Sequence, residues 1–474
     1  MERTADVTVG GAYKVAGEEE SSVMGNVESS GYQRRASRVP PEERAQIEKS
    51  FDNLSRNPSK KCVGLTTFQD SLASSLPASM SQRIFHGMQS VDVSGAPAAP
   101  EVTREQHAVF IIELLRGTAE EKSALIAPMI GADNSGKVTG PRVQQFLEDL
   151  IGAAVHVLHQ QNALSGWSLE NTRDCDSGVR TLATQLMSQL QEPSGGPPLV
   201  SAELSSSFSR AAIEDWLYKV PMVSALLRVV VTLGFSVLRQ SGDVGCLVPR
   251  CRRGKALSFV SLLDLPAIMY LNAHLPSEMQ YKWRLLFSTR VHGESFSQLC
   301  GHVVDQGPSL LVLRDAGGFI FGGFAAQNWE VKPQFQGDSR CFLFTVSPHL
   351  DIFTYTGYND HYMYLNHSQQ TMPNGLGMGG QHDYFGLWID SNFGKGHSKA
   401  KPRCTTYNSP QLSATEDFCI DAMEVWGLGE LSEELQIKNK KSILDADPEA
   451  KALLEMMGRT RQSEGLRDKE DEET

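Results

Sequence analysis

The sequence is poor in cysteine and in positive charge. It holds eight cysteines in 474 residues, and no two of them form a Cys-x-x-Cys pair. A disulfide scaffold and a structural zinc site are therefore not expected, and a reducing, cytosolic compartment is the default. Lysine and arginine number 44 against 56 aspartates and glutamates, which gives a net charge of −12. Because general nucleic-acid binding needs a basic surface, no nucleic-acid partner is predicted.

Long apolar runs are also scarce. Residues 1–23 carry three consecutive glutamates and no apolar stretch, so no secretory signal is predicted. The longest apolar run, 220–238, has Arg228 near its middle. An arginine at the centre of a membrane span costs about 2.5–3.5 kcal/mol on insertion scales. The run therefore predicts a helix buried in a soluble core.

Catalytic motifs are absent or incomplete. The sequence has no G-x-S-x-G, no H-E-x-x-H and no Walker loop. Gly375, Gly377 and Gly380 match G-x-G-x-x-G, but a loop precedes them and a strand-like run follows, whereas a dinucleotide site needs a strand and then a helix. Cys300 and His302 are close in sequence, while catalytic Cys–His pairs are usually distant. We predict no catalytic residue and no nucleotide site.

Two regions contain residue types that bind metals. In the segment ADNSGKV, Gly136 would be the sixth position of a calcium loop and Asp133 the third. The twelfth position is then Arg142, where a bidentate glutamate is required, so no tight calcium site is predicted. The second region is rich in glycine and asparagine and holds four histidines without helical partners, His361, His367, His382 and His397. We predict no metal site and no cofactor.

Composition and apolar periodicity predict an α+β multidomain protein. Ile47, Phe51 and Leu54 recur at the spacing of one helix face, whereas runs such as SLLVLRD (309–315) are typical of β-strands. The predicted segments are a disordered N-terminus (1–40), an all-α, degenerate EF-hand-like domain (41–165), a linker (166–206), buried helices (207–243), a β-rich module (244–428) and a tail (429–474).

The N-terminal segment contains a lipidation pattern. MGNVES, beginning at Met24, fits the N-myristoylation motif. Because the match is internal, Gly25 can be acylated only if translation starts at Met24; otherwise the match is chance. One acyl chain binds membranes marginally, and a basic patch is the usual second signal. Arg34, Arg35 and Arg38 are predicted to form that patch.

The tail contains one predicted docking helix, near 447–457. Asp447 is a favourable N-cap, and Pro448 is tolerated at the first helical position. A helix this short is marginal alone and needs a partner surface. The apolar residues predicted to bind that partner are Leu453, Leu454, Met456 and Met457.

The β-rich module resembles a TLDc domain. The stretches that carry the resemblance include LPSEMQYKWRLLFST (275–289), HGESFSQLCGH (292–302), FGGFAAQNWEVKPQFQGDSRCFLF (321–344), NGLGMGGQHDYFGLWID (374–390), CTTYNSPQLS (404–413) and FCIDAMEVWGL (418–428). With its EF-hand-like half and its tail, the whole chain resembles one branch of that family. The resemblance implies a two-sheet β-sandwich flanked by helices.

The same resemblance implies an adaptor and not an enzyme. Several family members associate with the vacuolar proton-pumping ATPase, and the branch in question is linked to recruiting the target-of-rapamycin kinase complex to lysosomes. The expected partners are therefore peripheral subunits of the pump, the kinase complex and the lysosomal membrane surface, approached from the cytoplasm. Five aromatic residues in polar contexts are interpreted as either interface or core residues, namely Trp329, Phe335, Tyr358, Tyr362 and Tyr364.

An alternative also comes from the resemblance, because the family is associated with protection against oxidative damage. A thiol-reactive or enzymatic site would need an exposed cysteine with a low pKa. The candidates are Cys300, Cys341 and Cys404, and the sequence offers no obvious activating base beside them.

Overall fold

A computed structural model describes residues 32–56, 61–93, 100–162, 164, 166–167, 176–192, 207–238, 247–252 and 259–430. The chain divides into two compact units. The helical unit lies within Met1–Cys251, Leu263–Tyr281 and His349–Asp351, and the β unit within Arg252–Leu262, Lys282–Pro348 and Ile352–Thr474. Helices dominate the first half and antiparallel strands the second, which confirms the α+β class.

Ten α-helices of the helical unit lie wholly within the described residues. They are α1 Pro41–Ser55, α2 Leu65–Leu72, α3 Ala78–Gln89, α4 Arg104–Arg116, α5 Ala119–Ile130, α6 Gly140–Gln160, α7 Asp176–Met187, α8 Arg210–Lys219, α9 Pro221–Gly234 and α10 Leu265–His274. Local sequence explains several starts. Thr103 with Gln106, and Thr118 with Glu121, form capping boxes that satisfy the first amides of α4 and α5.

Short strands join successive helix–loop–helix elements in pairs. Strand β1 (Cys62–Val63), between α1 and α2, pairs antiparallel with β2 (Val102–Thr103), between α3 and α4. Strand β3 (Val138–Thr139), between α5 and α6, pairs in the same way with β4 (Ser207–Phe208), between α7 and α8. The arrangement resembles two pairs of EF-hands.

The segment 166–206, predicted to be a linker, contains helix α7. The linker prediction is therefore wrong for that helix. Leu182 and Leu186 are buried at helical spacing. The apolar face is short, and the polar residues around it and the nearby GGPP are typical of a linker. The stretch after 207 likewise begins with the strand and helix of the fourth helix–loop–helix element.

The apolar run 220–238 contains α9, whose apolar side chains are buried, as the sequence predicted. Arg228 is accommodated because its guanidinium donates to the Leu115 carbonyl at 3.1 Å. Within the described ranges no single helix is long and apolar enough to cross a membrane. Helices α8 and α9 reach that length and composition only as a pair, bent by 90°.

The β unit is built mainly from eleven strands. They are β6 Lys282–Ser288, β7 Ser309–Asp315, β8 Ile320–Ala325, β9 Lys332–Gln336, β10 Phe342–Ser347, β11 Asp351–Thr354, β12 Met363–Asn366, β13 Gly375–Gln381, β14 Tyr384–Asp390, β15 Lys395–His397 and β16 Asp417–Leu428; β5 is Arg250–Arg252. Two short helices, α11 Thr289–His292 and α12 Phe296–Val303, flank the strands.

The long strand β16 connects two sheets. Its first residues pair with β15, which continues through β14, β13 and β12 to β9. Its remaining residues pair with β6 on one side and β7 on the other, and β7 leads through β8 and β10 to β11. The sheets face each other at Gly323, where an added Cβ would lie 2.4 Å from Met378 Sδ. This geometry confirms the expected two-sheet sandwich.

Each unit buries a titratable side chain in its core. His107, in α4, is fully buried, and burial lowers its pKa to about 3. Glu424, in β16, is also buried, and burial raises its pKa to about 7. Its carboxylate accepts hydrogen bonds from Ser261 Oγ, Leu262 N and Trp426 Nε1. The two pKa values move in opposite directions because burial disfavours the charged form of each group.

Candidate functional site

The G-x-G-x-x-G match is part of a strand. Gly375 and Gly377 lie in β13 opposite β14, whose aromatic rings take the space that side chains would need. A Cβ added at Gly375 would lie 2.4 Å from the Trp388 ring, and one at Gly377 would lie 2.7 Å from the Phe385 ring. Packing of these rings therefore accounts for the glycines, and no helix N-terminus follows them to hold a phosphate.

The three candidate thiols are buried. Burial raises the pKa of Cys300 to about 11 and also raises the pKa of Cys341 and of Cys404. Such thiols stay protonated at neutral pH, which makes them poor nucleophiles. Among the described cysteines the exposed one is Cys419, which pairs across the strands with Lys395. The alternation in DFCID, with Phe418 buried, was a signal that could have identified it.

The calcium-like loop uses its ligand groups internally. Asp133 Oδ1 accepts hydrogen bonds from Ser135 N at 2.9 Å, Ser135 Oγ at 2.6 Å and Lys137 N at 3.0 Å. The Arg142 guanidinium donates to the Gly131 carbonyl, which places positive charge at the loop. No group of three or more His, Cys, Asp or Glu side chains is arranged to hold a metal among the residues that the structure describes.

Two of the three arginines of the predicted basic patch are in ion pairs. Arg35 lies 3.3 Å from Glu113, and Arg38 lies 2.7 Å from Glu121. Arg34 is exposed and has no ion pair within the described ranges. The ion pairs hold this segment against α4 and α5, and they reduce the positive charge available to a membrane.

Two predicted features lie outside the described residues. One is the acylation motif with Gly25. The other is the tail helix with Leu453, Leu454, Met456 and Met457. Both stay predictions.

The five aromatic residues separate into core and surface. Trp329 and Tyr364 are fully buried, and Trp329 Nε1 donates to Ser309 Oγ at 2.9 Å. Phe335 is partly buried and packs against Tyr364, Phe385 and Trp388. Tyr358, in contrast, is 77% exposed. Large exposed aromatics are enriched at protein interfaces, so its loop is the candidate functional site.

That loop, 355–362, joins β11 to β12 and is called the tyrosine platform; its tyrosines are Tyr355, Tyr358 and Tyr362. The rings of Tyr355 and Tyr362 meet edge to face with centroids 5.1 Å apart. A hydrogen bond to Tyr355 raises the pKa of Tyr362 to about 12, with smaller contributions from desolvation and from the charges of Asp360 and Asp338. The Tyr362 phenol therefore stays neutral beside the Asp360 and Asp338 carboxylates.

The platform is fixed by hydrogen bonds to the segment 404–407. Thr356 donates from its amide to the Thr406 carbonyl at 2.9 Å and from its hydroxyl to the Thr405 carbonyl at 2.7 Å. Thr406 Oγ1 donates to Asn359 Oδ1 at 2.7 Å and accepts from Gly380 N at 2.9 Å. The buried Thr406 hydroxyl therefore links the platform to β13.

Further contacts fix the end of the platform. Tyr407 donates its hydroxyl to the Tyr362 carbonyl at 2.8 Å, and Gly379 N donates to the His361 carbonyl at 3.0 Å. Gly379 and Gly380 have φ of 70° and 83°, which favours glycine at both positions. Because these hydrogen bonds already hold the loop backbone, the loop loses little conformational entropy when a partner binds at Tyr358.

Comparison with known proteins agrees with this fold. Residues 258–429 match the TLDc domain, a span that contains both sheets of the sandwich. The class of protein is thus one that carries a TLDc domain after a helical, EF-hand-like region.

Some relatives match nearly the whole chain and identify the family more closely. The chain is 59% identical to MTOR-associated protein MEAK7 of Xenopus laevis over 458 residues, which is 95% of this chain and all of that protein. It is 50% identical to the human protein of the same name over 457 residues, again 95% of this chain and all of the relative. The chain belongs to the TLDc-domain family that includes these proteins.

A more distant relative shares the β unit. Oxidation resistance protein 1 of Bos taurus is 35% identical over 173 residues, which is 36% of this chain and 19% of that protein. Similarity of this extent is consistent with a shared domain in a different protein.

Proposed function

We propose that this protein is a non-enzymatic adaptor on the cytosolic face of lysosomal membranes. It binds peripheral subunits of the vacuolar proton-pumping ATPase and supports recruitment and signalling of the target-of-rapamycin kinase complex. The name of the full-length relatives, MTOR-associated protein, supports the link to the kinase. The resemblance of the chain to pump-associated TLDc proteins supports the link to the ATPase.

The observation that carries the proposal is the tyrosine platform. It is rigid, it exposes Tyr358, and it lies on a domain whose three candidate thiols are buried. A preorganised aromatic surface without a nucleophile suits binding better than catalysis.

Membrane attachment in this proposal depends on Gly25, acylated when translation starts at Met24. Arg34 supplies an exposed charge near that motif, while Arg35 and Arg38 hold their segment to the helical unit. The tail helix near 447–457 is proposed as a second contact with the pump.

A second candidate function is oxidative protection through a thiol. The exposed Cys419 and the name of the Bos taurus relative favour it. Maleimide labelling of the folded chain tests it, because a reactive site requires Cys419 to react faster than free cysteine. Labelling at the rate of free cysteine would eliminate this candidate.

The adaptor function is tested by a pull-down from detergent-solubilised lysosomal membranes, with the chain started at Met24 as bait and mass spectrometry as the readout. We expect stoichiometric recovery of peripheral pump subunits and co-recovery of the kinase complex. Deletion of 443–458 should weaken recovery of the pump. Clean recovery of the bait without pump subunits would contradict the pump interaction.

A further inference from the structure

We propose that the tyrosine platform binds an arginine-bearing segment of a partner protein, with a guanidinium group seated between Tyr358 and Asp360. This inference rests on the adaptor function proposed above and specifies the chemistry of its contact surface. The partner is identified by that chemistry, a positively charged and planar side chain.

Tyr358 offers an exposed aromatic face. Tyr358 exposes 77% of its surface, although its backbone is fixed, since its amide donates to Thr356 Oγ1 at 3.3 Å. A cation placed over such a ring is attracted by the negative face of the π system. Arginine stacks on aromatic faces more readily than lysine, because its guanidinium is planar and weakly hydrated.

Two carboxylates lie near the tyrosine rings. Asp360 is exposed within the platform, and both Asp360 and Asp338 act on the Tyr362 hydroxyl. Asp338 is already paired with Arg340 at 2.8 Å, which leaves Asp360 to accept from a ligand. A guanidinium can donate to a carboxylate while its face lies on a ring, so one arginine satisfies both groups.

The geometry also disfavours an anionic membrane as the occupant. Asp360 would repel lipid phosphates, and Arg340 is in an ion pair with Asp338. The chain as a whole has a net charge of −12, which further favours a basic partner.

The first test uses fluorescein-labelled hexa-arginine and the full chain, with anisotropy as the readout at low salt. Hexacitrulline is the uncharged control of nearly the same shape. We expect Tyr358→Ala and Asp360→Asn each to weaken hexa-arginine binding about tenfold. Two matched variants in the helical unit should bind as the wild type does: Tyr218→Ala, which removes another exposed tyrosine, and Asp70→Asn, which removes an equal charge.

Equal hexa-arginine binding by the wild type and by Tyr358→Ala would overturn the proposal, and so would equal binding of hexacitrulline and hexa-arginine. Binding of the platform to phosphatidylserine vesicles, lost in Tyr358→Ala, would also overturn it in favour of a lipid surface.

The second test uses the purified peripheral sector of the proton pump. We expect Tyr358→Ala and Asp360→Asn to reduce its binding, with Tyr218→Ala as the control. If the wild type does not bind this sector but shows the expected hexa-arginine pattern, the pump proposal fails and the platform chemistry stands. If the wild type binds the sector and the platform variants bind equally well, the platform proposal fails and the adaptor function stands.

Discussion

The calcium-like loop of the helical unit and the tyrosine platform of the β unit are both held by hydrogen bonds, but their polar groups are used differently. In the first loop, Asp133 accepts three hydrogen bonds from its own loop, and Arg142 closes the remaining side. In the platform, the anchoring groups belong to the segment 404–407 beneath it, so Tyr358 and Asp360 stay exposed.

This difference shows that a hydrogen-bonded loop is not by itself a binding site. In the calcium-like loop, one carboxylate oxygen of Asp133 is occupied by the loop itself, and Arg142 stands where a calcium ligand is needed. A loop held by a second segment keeps its outward side chains for a partner.

The largest effect should be an opposite dependence of stability on pH in the two units. The pKa of His107 is about 3 in the folded protein and 6.5 in the unfolded chain. Its contribution to the free energy of unfolding is therefore fully present above pH 6.5 and is lost as the pH falls towards 3. The pKa of Glu424 is about 7 in the folded protein and 4.5 in the unfolded chain. Its contribution to the free energy of unfolding is therefore fully present below pH 4.5 and is lost as the pH rises through 7. The shifts correspond to about 5 kcal/mol for His107 and about 3 kcal/mol for Glu424.

Scanning calorimetry of the full chain from pH 4 to 8 measures this contrast. His107→Gln should reduce the loss of stability of the helical unit at acid pH. Glu424→Gln should reduce the loss of stability of the β unit as the pH rises. Unchanged pH profiles in both variants would show that these groups do not control the contrast.

The next effect concerns the support of the platform. Thr406→Val should destabilise the β unit by about 1–3 kcal/mol, because the buried Gly380 N loses its acceptor and Asn359 Oδ1 keeps only the His361 amide as a donor. Thr415→Val is the matched control, since its exposed hydroxyl makes one hydrogen bond, to the Asp417 carbonyl. Urea unfolding measures both, and equal small losses would mean that the Thr406 bonds do not hold the platform.

A smaller effect should follow from opening the closed loop. Arg142→Glu restores an acidic twelfth position and removes the guanidinium from the Gly131 carbonyl. We expect a calcium affinity near the millimolar range, and about 1 kcal/mol of stabilisation at 10 mM calcium. Isothermal titration measures the affinity, with the wild type as the control. Failure of the variant to bind calcium would place the obstacle elsewhere in the loop, whose first position is Gly131 and not an acid.

The smallest effect should be on the exposed ring itself. Tyr358→Ala is expected to change the free energy of unfolding by less than about 0.5 kcal/mol, because the side chain is mostly in solvent. The same urea experiment measures it beside Thr406→Val. A loss of 2 kcal/mol or more would mean that Tyr358 supports the fold and is not simply presented by it.

Local sequence patterns predicted the parts of the fold that depend on local chemistry. Helical spacing identified α1, and β-rich runs identified strands such as β7. Helix α7 escaped because its apolar face is short and lies between polar segments. The strand pair of β3 and β4 escaped because its partners are about seventy residues apart.

The candidate site was less predictable. Tyr358, Tyr362 and Tyr364 look alike in sequence, yet Tyr358 is exposed and Tyr364 is fully buried. Their fates depend on strand register and on the segment 404–407, more than forty residues away. Periodicity within a short window contains no information about such a distant partner.

We propose that the platform, and not the calcium-like loop, contacts the partner. Hydrogen exchange of the full chain, measured with and without the purified peripheral sector of the proton pump, distinguishes the two loops. We predict slower exchange over 355–362 and 404–407 in the complex and no change over 131–139. Unchanged exchange across the platform in a complex that has demonstrably formed would rule out this contact.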